Sequence, residues 1–514
     1  MTTTWTIAVD WERTGDFNGT YDDITDYVMD ARWFNGFRRP YQDVADEQML
    51  SLSLNNSDKR FSPENAGSPL ADDLAPFRPV RLQSNDGTTV RTHYLGWLEK
   101  IEPSVNQFGE RTTKLTCSGA ASLFMASAET DIAVQQNKRA NQIINTLLDE
   151  IQVPPPLIGS AIIGLPTSII GSVNIVDVSM DRSLEIGKTV FAYAADNWIQ
   201  GNDQNRTFSI YSAIKDIVAG ERGRFYFNRE GQAIFWNRHH LIVNRTIEAT
   251  FDNTMVDMKY SYASLDEFSN DISVTCHPRT ISPNGDVILW QLDNPITVQP
   301  GDTREIGASF HDDSDNRIGG KDIYLSGVSI TGNGSLMIEN VGANRAKLVL
   351  KNHSSQYKIT LNSANVRGYK ITDFGRVESY AKDNLSIVKY GRRDMKMTLR
   401  SIDNQDDAQG IADFELMRRR TPSGKVQTIS LKSQAKRGGN QHSEQLARTI
   451  GDRIKIIESQ TGHTGEYFII GEEQRLSQQA TLLETTWYLE SATEGDFFMI
   501  GEDVIGSGAT LLPI

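Results

Sequence analysis

The stretch LSLSLNNSDKRFSPENAGSPL, residues 50–70, decides the fold because it contains both a strand and the end of that strand. Leu50, Leu52 and Leu54 alternate with serines, which is typical of a strand with one buried face and one solvated face. Turn-forming polar residues and a proline follow, so strand pairing cannot continue there. We therefore expect a short β-strand and then a long polar surface loop over residues 55–76.

The length and the charge of the chain limit its function class. A chain of 514 residues is too long for a single core and predicts about three or four domains. The 66 acidic and 52 basic residues give a formal net charge of -14. A nucleic-acid-binding groove is therefore not expected as the main function, although an acidic surface would suit a wall past which DNA slides.

Neither the cysteines nor the apolar segments predict a secreted or membrane-spanning protein. Cys117 and Cys276 each lie in an alternating run and are expected as buried small side chains. The N-terminus has no signal-peptide pattern, so we expect the chain to stay in the compartment where it is made. The most apolar segment, 154–170, is interrupted by prolines and glycines and predicts a loop or hairpin, with no spanning helix.

Residues 1–125 are predicted to form a first β-barrel domain. Trp5, Ile7 and Val9 alternate at the start of the chain, and Asn85–Gly87 has the composition of a hairpin turn. Further strand signals recur at short intervals, at 50–54, 80–82, 94–101 and 112–117.

Residues 126–250 are predicted to form an α/β domain. The apolar residues in 139–151 recur three and four positions apart, which is typical of an amphipathic helix, and 212–219 shows a second such helix. The stretch GRFYFNREGQAIFWNR, residues 223–238, predicts a hairpin that turns at 228–231.

The rest of the chain is predicted to be β-structure with one insertion, so the fold class is mainly β. Short alternating runs within 278–370 predict an inserted β-sandwich of immunoglobulin type. The segments 251–277 and 371–500 are assigned to a second β-barrel domain that surrounds this insertion, and 501–514 is assigned to a C-terminal tail.

A weak internal repeat connects the two ends of the chain and predicts two related β-barrels. Three segments of one end recur at nearly equal intervals at the other end. The first end has Arg78–Leu82, Tyr94–Trp97 and Thr112–Ser118, and the second has Gly451–Ile456, Tyr467–Gly471 and Thr485–Ser491.

Short motifs at both ends of the sequence resemble tailed-phage tail hub proteins, also called baseplate hub or tail-associated proteins. The N-terminal domain of that family is similar to Leu52–Asn56, Asp58–Pro63, Ser68–Leu70 and Arg78–Leu82. Its second barrel domain is similar to Tyr390–Arg393, the predicted helix 407–419 and Gly451–Arg453.

This resemblance implies a structural protein with two similar barrels in each chain. It implies a homotrimer whose ring of six barrels adapts a sixfold tail tube to a threefold tail tip or fibre. The implied partners are a tail tube or distal tail protein and a tail fibre or spike protein. DNA would pass through the channel without specific binding. The chain would lie in the virion tail after assembly in the host cytoplasm, with no enzyme activity, no cofactor and no metal.

The motifs that could carry chemistry favour structural interpretations. His239 and His240 would point to opposite faces of a strand, so a solvated pair is expected instead of shared metal ligation. The loop 311–316 is acidic but lacks the glycine and distal glutamate of a helix-loop-helix calcium site, so an acidic loop is expected.

Two basic motifs are interpreted in the same way. Gly187-Lys188-Thr189 imitates the end of a phosphate-binding loop, but Arg182 stands at the position of the first glycine, so a turn with a solvated lysine is expected. Arg418–Arg420 follows a predicted helix, where cations stabilise the helix end; a salt bridge to a neighbouring subunit is the alternative.

Two other functions remain open. The chain could be a receptor- or glycan-binding tail protein that acts through the sandwich at 278–370, or an enzyme that cuts cell-wall polymer. The sequence contains no recognisable catalytic constellation for the latter.

Overall fold

The computed structural model describes residues 3–104, 111–126, 128–130, 132–151, 157–158, 161–162, 180–198, 208–262, 267–283, 285–434 and 439–492. The apolar segment 154–170 lies outside these residues except for 157–158 and 161–162, and the predicted tail at 501–514 lies wholly outside them. None of the helices in the described ranges has the length and apolar character needed to cross a membrane.

Strands dominate the described chain, which confirms the prediction of a mainly β fold. The strands of the first half are β1 (Thr4–Val9), β2 (Val28–Gly36), β3 (Met49–Asn55), β4 (Pro79–Asn85), β5 (Val90–Pro103), β6 (Thr112–Ser118), β7 (Gln135–Arg139), β8 (Leu157–Ile158), β9 (Ala161–Ile162), β10 (Arg182–Leu184), β11 (Val190–Ala194), β12 (Arg224–Phe227), β13 (Ala233–Trp236), β14 (Ile247–Phe251) and β15 (Asp257–Tyr262).

The second half continues with β16 (Asp271–Cys276), β17 (Arg279–Ile281), β18 (Val287–Gln291), β19 (Ile296–Val298), β20 (Thr303–Ser309), β21 (Gly320–Thr331), β22 (Gly334–Val341), β23 (Arg345–Asn352), β24 (Ile359–Asp373), β25 (Val377–Lys382), β26 (Asp394–Thr398), β27 (Gly424–Gln434), β28 (Arg453–Glu458), β29 (His463–Ser477) and β30 (Leu482–Ser491). The α-helices are α1 (Ala140–Asp149), α2 (Ile210–Glu221), α3 (His240–Val243), α4 (Asn384–Tyr390), α5 (Gln405–Arg419) and α6 (Asn440–Ala447).

The strands β1 to β6, which we call the first strand set, lie in the order β1-β4-β5-β6-β3-β2. The alternation seen in the sequence sets their faces: Trp5, Ile7 and Val9 of β1 and the three leucines of β3 are buried in one core. The segment that leads into β2 also bonds to β1, since Val9 N donates to Asp22 O and Ile24 N donates to Ile7 O. The two ends of the first strand set are therefore connected.

The polar loop after β3 covers this core instead of extending freely into solvent. Phe61 and Leu70 are buried among the side chains of the first strand set, and the guanidinium of Arg60 lies 4.8 Å from the centre of the Tyr27 ring. The sequence predicted the loop but missed the two apolar anchors within it.

A second strand set, formed by β14, β15 and β27 to β30, repeats the order of the first. Its order is β14-β28-β29-β30-β27-β15, so β4, β5, β6, β3 and β2 correspond to β28, β29, β30, β27 and β15. All neighbours among these five strands are antiparallel in both sets. The remaining strand differs in direction: β1 runs antiparallel to β4, whereas β14 runs parallel to β28. The predicted duplication of a β unit is thus present in the structure.

Matching irregularities fix the residue-by-residue correspondence between the two sets. The β5–β6 ladder is interrupted between Leu98 and Lys100, and the β29–β30 ladder is interrupted between Ile469 and Gly471. Extra residues of this kind bend a strand and increase its twist. The sequence repeat agrees with the ladders near Val80 and Ile454, but the ladders shift its middle segment by two residues, with Tyr467 at the place of Gly96, and its last segment by one residue.

Helices and small sheets of the middle of the chain form a separate core. The predicted helices at 139–151 and 212–219 are α1 and α2, and their apolar faces, which include Ile143 and Ile214, belong to one core. The predicted hairpin is β12–β13. The sheet β25-β16-β26 is separate from the second strand set, and its buried Ile272 packs into the same core. The division of the chain into domains stays a prediction.

The segment between β16 and β25 contains two facing sheets, as the predicted sandwich requires. In one sheet β24 pairs with β17, β18, β19 and β21, and in the other β23 lies between β20 and β22. Leu289 and Val366 of the first sheet share a core with Phe310 and Leu348 on the side of the second.

Candidate assembly surface

The two strand sets meet edge to edge within the chain. Strand β2 pairs antiparallel with the C-terminal half of β29, from Ala31 opposite Leu476 to Gly36 opposite Gly471. We call this pairing the joint. It makes both strand sets parts of one 12-stranded sheet.

A buried salt bridge supports the joint from the inner face. Glu472 is fully buried, and its carboxylate accepts a hydrogen bond of 2.6 Å from Nε of Arg229 and one of 3.2 Å from Nδ2 of Asn35. Arg229 also donates to the carbonyl oxygen of Arg448 at 2.7 Å. Burial lowers the pKa of Arg229, but the Glu472 carboxylate outweighs this effect and holds that pKa above its ordinary value.

Ion pairs cross the joint on its solvent side. Arg32 of β2 donates to Oε1 of Glu473 at 2.5 Å, and Arg475 of β29 donates to Asp30 at 2.8 Å. The guanidinium of Arg38 lies 3.8 Å from the centre of the Phe34 ring. The joint therefore combines a backbone ladder with charge pairs whose partners come from opposite strands.

A second buried charge cluster links α2, α5 and β30. Glu415 of α5 accepts hydrogen bonds from Nε of Arg222 at 2.9 Å and from Nε of Arg419 at 2.7 Å, and Arg418 reaches Glu490 at 3.3 Å. Burial alone would raise the pKa of Glu415, but the surrounding guanidinium groups hold it well below its usual range.

The contacts of this cluster show which groups the arginines of the Arg418–Arg420 motif bind. All three arginines bind carboxylates of their own chain, with Arg420 lying 3.5 Å from Asp383. The expectation of simple helix capping was incomplete, because Glu490 lies 72 residues away in sequence and no local pattern indicates it.

Two of the strand edges that lack a partner strand in the described part of the chain belong to the two strand sets, one to each. Strand β15 pairs with β27 on one side and with no other strand among the described residues. Strand β5 pairs with β4 as far as Trp97, and Leu98 exchanges backbone hydrogen bonds with Phe77 and Arg78. Beyond that point, over residues 100–103, the edge of β5 that faces away from β6 has no partner strand among the described residues. Such edges are templates for pairing with another chain.

The side chains considered as metal ligands, in the histidine pair and in the acidic loop, contact other groups of the same chain. His240 lies in the short helix α3, not in a strand, and its ring stacks on Trp236 while Nδ1 lies 2.6 Å from Glu185. In the acidic loop, the carboxylate of Asp312 accepts backbone hydrogen bonds from Ser314 and Asn316. In the described ranges no three His, Cys, Asp or Glu residues are grouped as metal ligands would be.

The phosphate-loop imitation is a turn that binds a carboxylate of the same chain. The amides of Lys188 and Thr189 donate to the buried Glu221 at 2.8 and 2.7 Å. The lysine side chain is exposed, as expected. Both cysteines are buried and unbridged, and burial raises the pKa of the Cys117 thiol. The sequence did not predict the buried pair of Glu472 and Arg229, because Glu472 lies in a strand that contains several other charged residues and its partner is 243 residues away.

No protein-family model matches the chain, and no curated protein sequence matches it significantly. In structure the chain is similar to the tail protein from Neisseria meningitidis MC58, with 9% identity, coverage of 96% of this chain and 98% of that chain, and a TM-score of 0.49.

Two further solved structures are similar over most of the chain. The 43 kDa tail protein of prophage MuSo2 from Shewanella oneidensis has 9% identity, covers 95% of this chain and 98% of its own, and has a TM-score of 0.46. A prophage tail protein from Listeria monocytogenes EGD-e has 7% identity, coverage of 94% for both chains and a TM-score of 0.40.

Proposed function

We propose that the chain is a structural hub of a phage tail or of a related tail-derived particle, and that it acts as a homotrimer without catalysis. The observation that carries this proposal is the duplicated strand set, joined edge to edge within one chain. The motifs at both ends of the sequence, which resemble tail hub proteins, support the same function.

Symmetry explains the use of a duplicated unit. A contact that joins unlike surfaces generates a ring when its rotation closes. If the contact between copies repeats the joint within the chain, three copies give six similar strand sets around one axis. Such a ring presents nearly sixfold contacts to one partner while its chains remain threefold.

The proposed partners follow from this symmetry. The sixfold side would bind a tail tube or distal tail protein, and the threefold side would bind a tail fibre or spike protein. With a net charge of -14, the chain would let DNA pass through the channel without binding it specifically. Assembly in the host cytoplasm and residence in the virion tail complete the proposal.

The buried ionisable groups support a structural role. Glu415 and Glu490 have lowered pKa values because arginines of the same chain surround them, against the effect of burial. A general acid or base would instead need a pKa near the working pH and an open path to a substrate.

Molar mass in solution tests the proposal directly. We expect light scattering after size-exclusion chromatography to give three times the chain mass of 57.4 kDa, and negative-stain images to show a ring with a central channel. A monodisperse monomer at high concentration, unchanged by addition of the tail tube protein, would contradict the proposal.

A further inference from the structure

We propose that β15 of one copy pairs antiparallel with residues 100–104 of a second copy, in the register that β2 and β29 have within the chain. This inference rests on the proposed trimeric function and specifies its contact. The partner is therefore a second copy of this chain, and the contact is a β-ladder between two strand edges.

The correspondence between the strand sets identifies the two edges. Strand β15 has the place of β2 in the second strand set, and β5 has the place of β29 in the first. Within the chain β2 and β29 are paired, whereas β15 and the C-terminal half of β5 are both unpaired among the described residues. Pairing them between copies repeats an interface that the chain already forms once.

Burial at corresponding positions shows the surface that a partner would cover. Trp33 and Asn35 of β2 have 1% and 0% exposure at the joint. The corresponding residues of β15 are Tyr260 and Tyr262, which have 40% and 71% exposure. Two tyrosines on an open strand edge supply large contact area at a small loss of side-chain entropy.

The charges at the two edges are complementary in the same way as at the joint. Arg32 and Glu473 form one of the ion pairs of the joint, and the ladders place Lys259 and Glu102 at the corresponding positions. Lys259 is exposed, and Glu102 forms an ion pair with the neighbouring Lys100 at 2.6 Å. A contact between copies would bring Lys259 and Glu102 together.

The register follows from the joint. Phe34 lies opposite Glu473 there, so Ser261 would lie opposite Glu102, and Tyr262 would lie opposite Ile101. Pro103 belongs to the same edge. The amide of the next residue, Ser104, points towards β6, so the position of Pro103 points outward and offers no donor. The ladder is therefore short, which suits an edge that must pair with one partner only.

Engineered disulfides in the full chain test the register. Residues that face each other across an antiparallel ladder are close enough for a disulfide. We expect the variant Ser261→Cys with Glu102→Cys to form covalent trimers, visible on a non-reducing gel and abolished by reductant. The native Cys117 and Cys276 are buried and would not compete.

The matched control moves one cysteine by one position. In Tyr262→Cys with Glu102→Cys the two side chains would lie on opposite faces of the sheet, so no covalent trimer is expected. If light scattering gives a trimer but the register pair does not crosslink, or the shifted pair crosslinks instead, the contact is wrong while the proposed hub remains. A chain that stays a monomer contradicts both.

Discussion

Arg229 and Glu472 form a buried salt bridge on the inner face of the joint, with Nε and Oε1 2.6 Å apart, although 243 residues separate them in sequence. Arg229 comes from the hairpin β12–β13 of the middle of the chain, and Glu472 lies in the strand that pairs with β2. Because Glu472 also accepts a hydrogen bond from Asn35 of β2, the salt bridge connects this hairpin to both strand sets.

Removing the carboxylate of this pair should be costly. Glu472→Ala leaves the Arg229 guanidinium buried without its counter-charge, and we expect a loss of about 3–5 kcal/mol in the free energy of unfolding, measured by urea denaturation. The matched control is Glu484→Ala, which removes the partner of Lys432 at 2.8 Å on the exposed surface. The control should lose less than about 1 kcal/mol. Equal losses in the two variants would contradict the structural role of Glu472.

The Glu415 cluster predicts a pH dependence. The folded chain holds the pKa of Glu415 below its ordinary value of 4.5, so its contribution to stability is present above pH 4.5 and is lost as the pH falls further. We compare the wild type with Glu415→Gln between pH 7 and pH 3. The stability difference between them should be constant above pH 5 and then shrink by up to about 1.4 kcal/mol per pH unit. A difference that does not change with pH would exclude the charged form of Glu415 as the stabilising species.

Two glycines let the strands of the joint approach each other. A side chain at Gly471 would overlap the carbonyl oxygen of Phe37, and one at Gly36 would lie 2.6 Å from the carbonyl oxygen of Ile470. We expect Gly471→Ala to reduce the free energy of unfolding by about 3 kcal/mol, since the backbone must move apart. Gly307→Ala is the control, because nothing lies within 4 Å of the added carbon. If Gly471→Ala leaves the free energy of unfolding unchanged, the backbones at the joint are not as close together as the structure shows.

Exchanging charges tests the contact between copies independently of disulfides. Lys259→Glu alone and Glu102→Lys alone each place like charges at the proposed contact, and sedimentation velocity should show trimers dissociating at a protein concentration about tenfold higher than for the wild type. The double variant should recover most of the affinity. Additive weakening in the double variant would mean that the two residues do not meet.

Tyrosine truncation separates the strand edge from exposed surface in general. Tyr262 and Tyr357 have 71% and 73% exposure, but Tyr357 belongs to the sandwich and not to a strand edge of the second strand set. Tyr262→Ala should shift the trimer towards monomer, with an unchanged thermal midpoint for the folded chain. Tyr357→Ala should change neither property, and a trimer that tolerates both variants would count against the proposed contact.

Local patterns in the sequence predicted much of the fold. The leucines of β3 and the apolar stripe of α1 were assigned correctly because each element repeats its own period over several residues. The repeat near Val80 and Ile454 identified corresponding strands, because turn spacing survives when side chains change. Strand β2 was missed, since in Val28–Gly36 polar residues interrupt the alternation and several neighbouring residues are buried on both faces.

The candidate assembly surface was harder to predict than the strands. Pairing between β2 and β29 depends on residues more than 430 positions apart, and no local pattern records such a partner. The buried charges gave a misleading signal: Arg418–Arg420 looked like a local helix end, but two of the three arginines bind Glu415 or Glu490 in the interior. Long-range ion pairs depend on the final packing and not on the spacing of charges.

The reversed direction of β14 has a consequence for symmetry. Strand β1 begins at one end of its strand set, whereas β14 takes the corresponding place and begins at the other end. In a closed ring of three chains, the six strand sets would look alike from the side. At each end of the ring, however, the arrangement of strands would alternate between that of β1 and that of β14. A partner that binds the side of the ring would then meet nearly sixfold symmetry, whereas a partner that binds an end of the ring would meet threefold symmetry. A single inverted strand would thus be enough to convert one symmetry into the other.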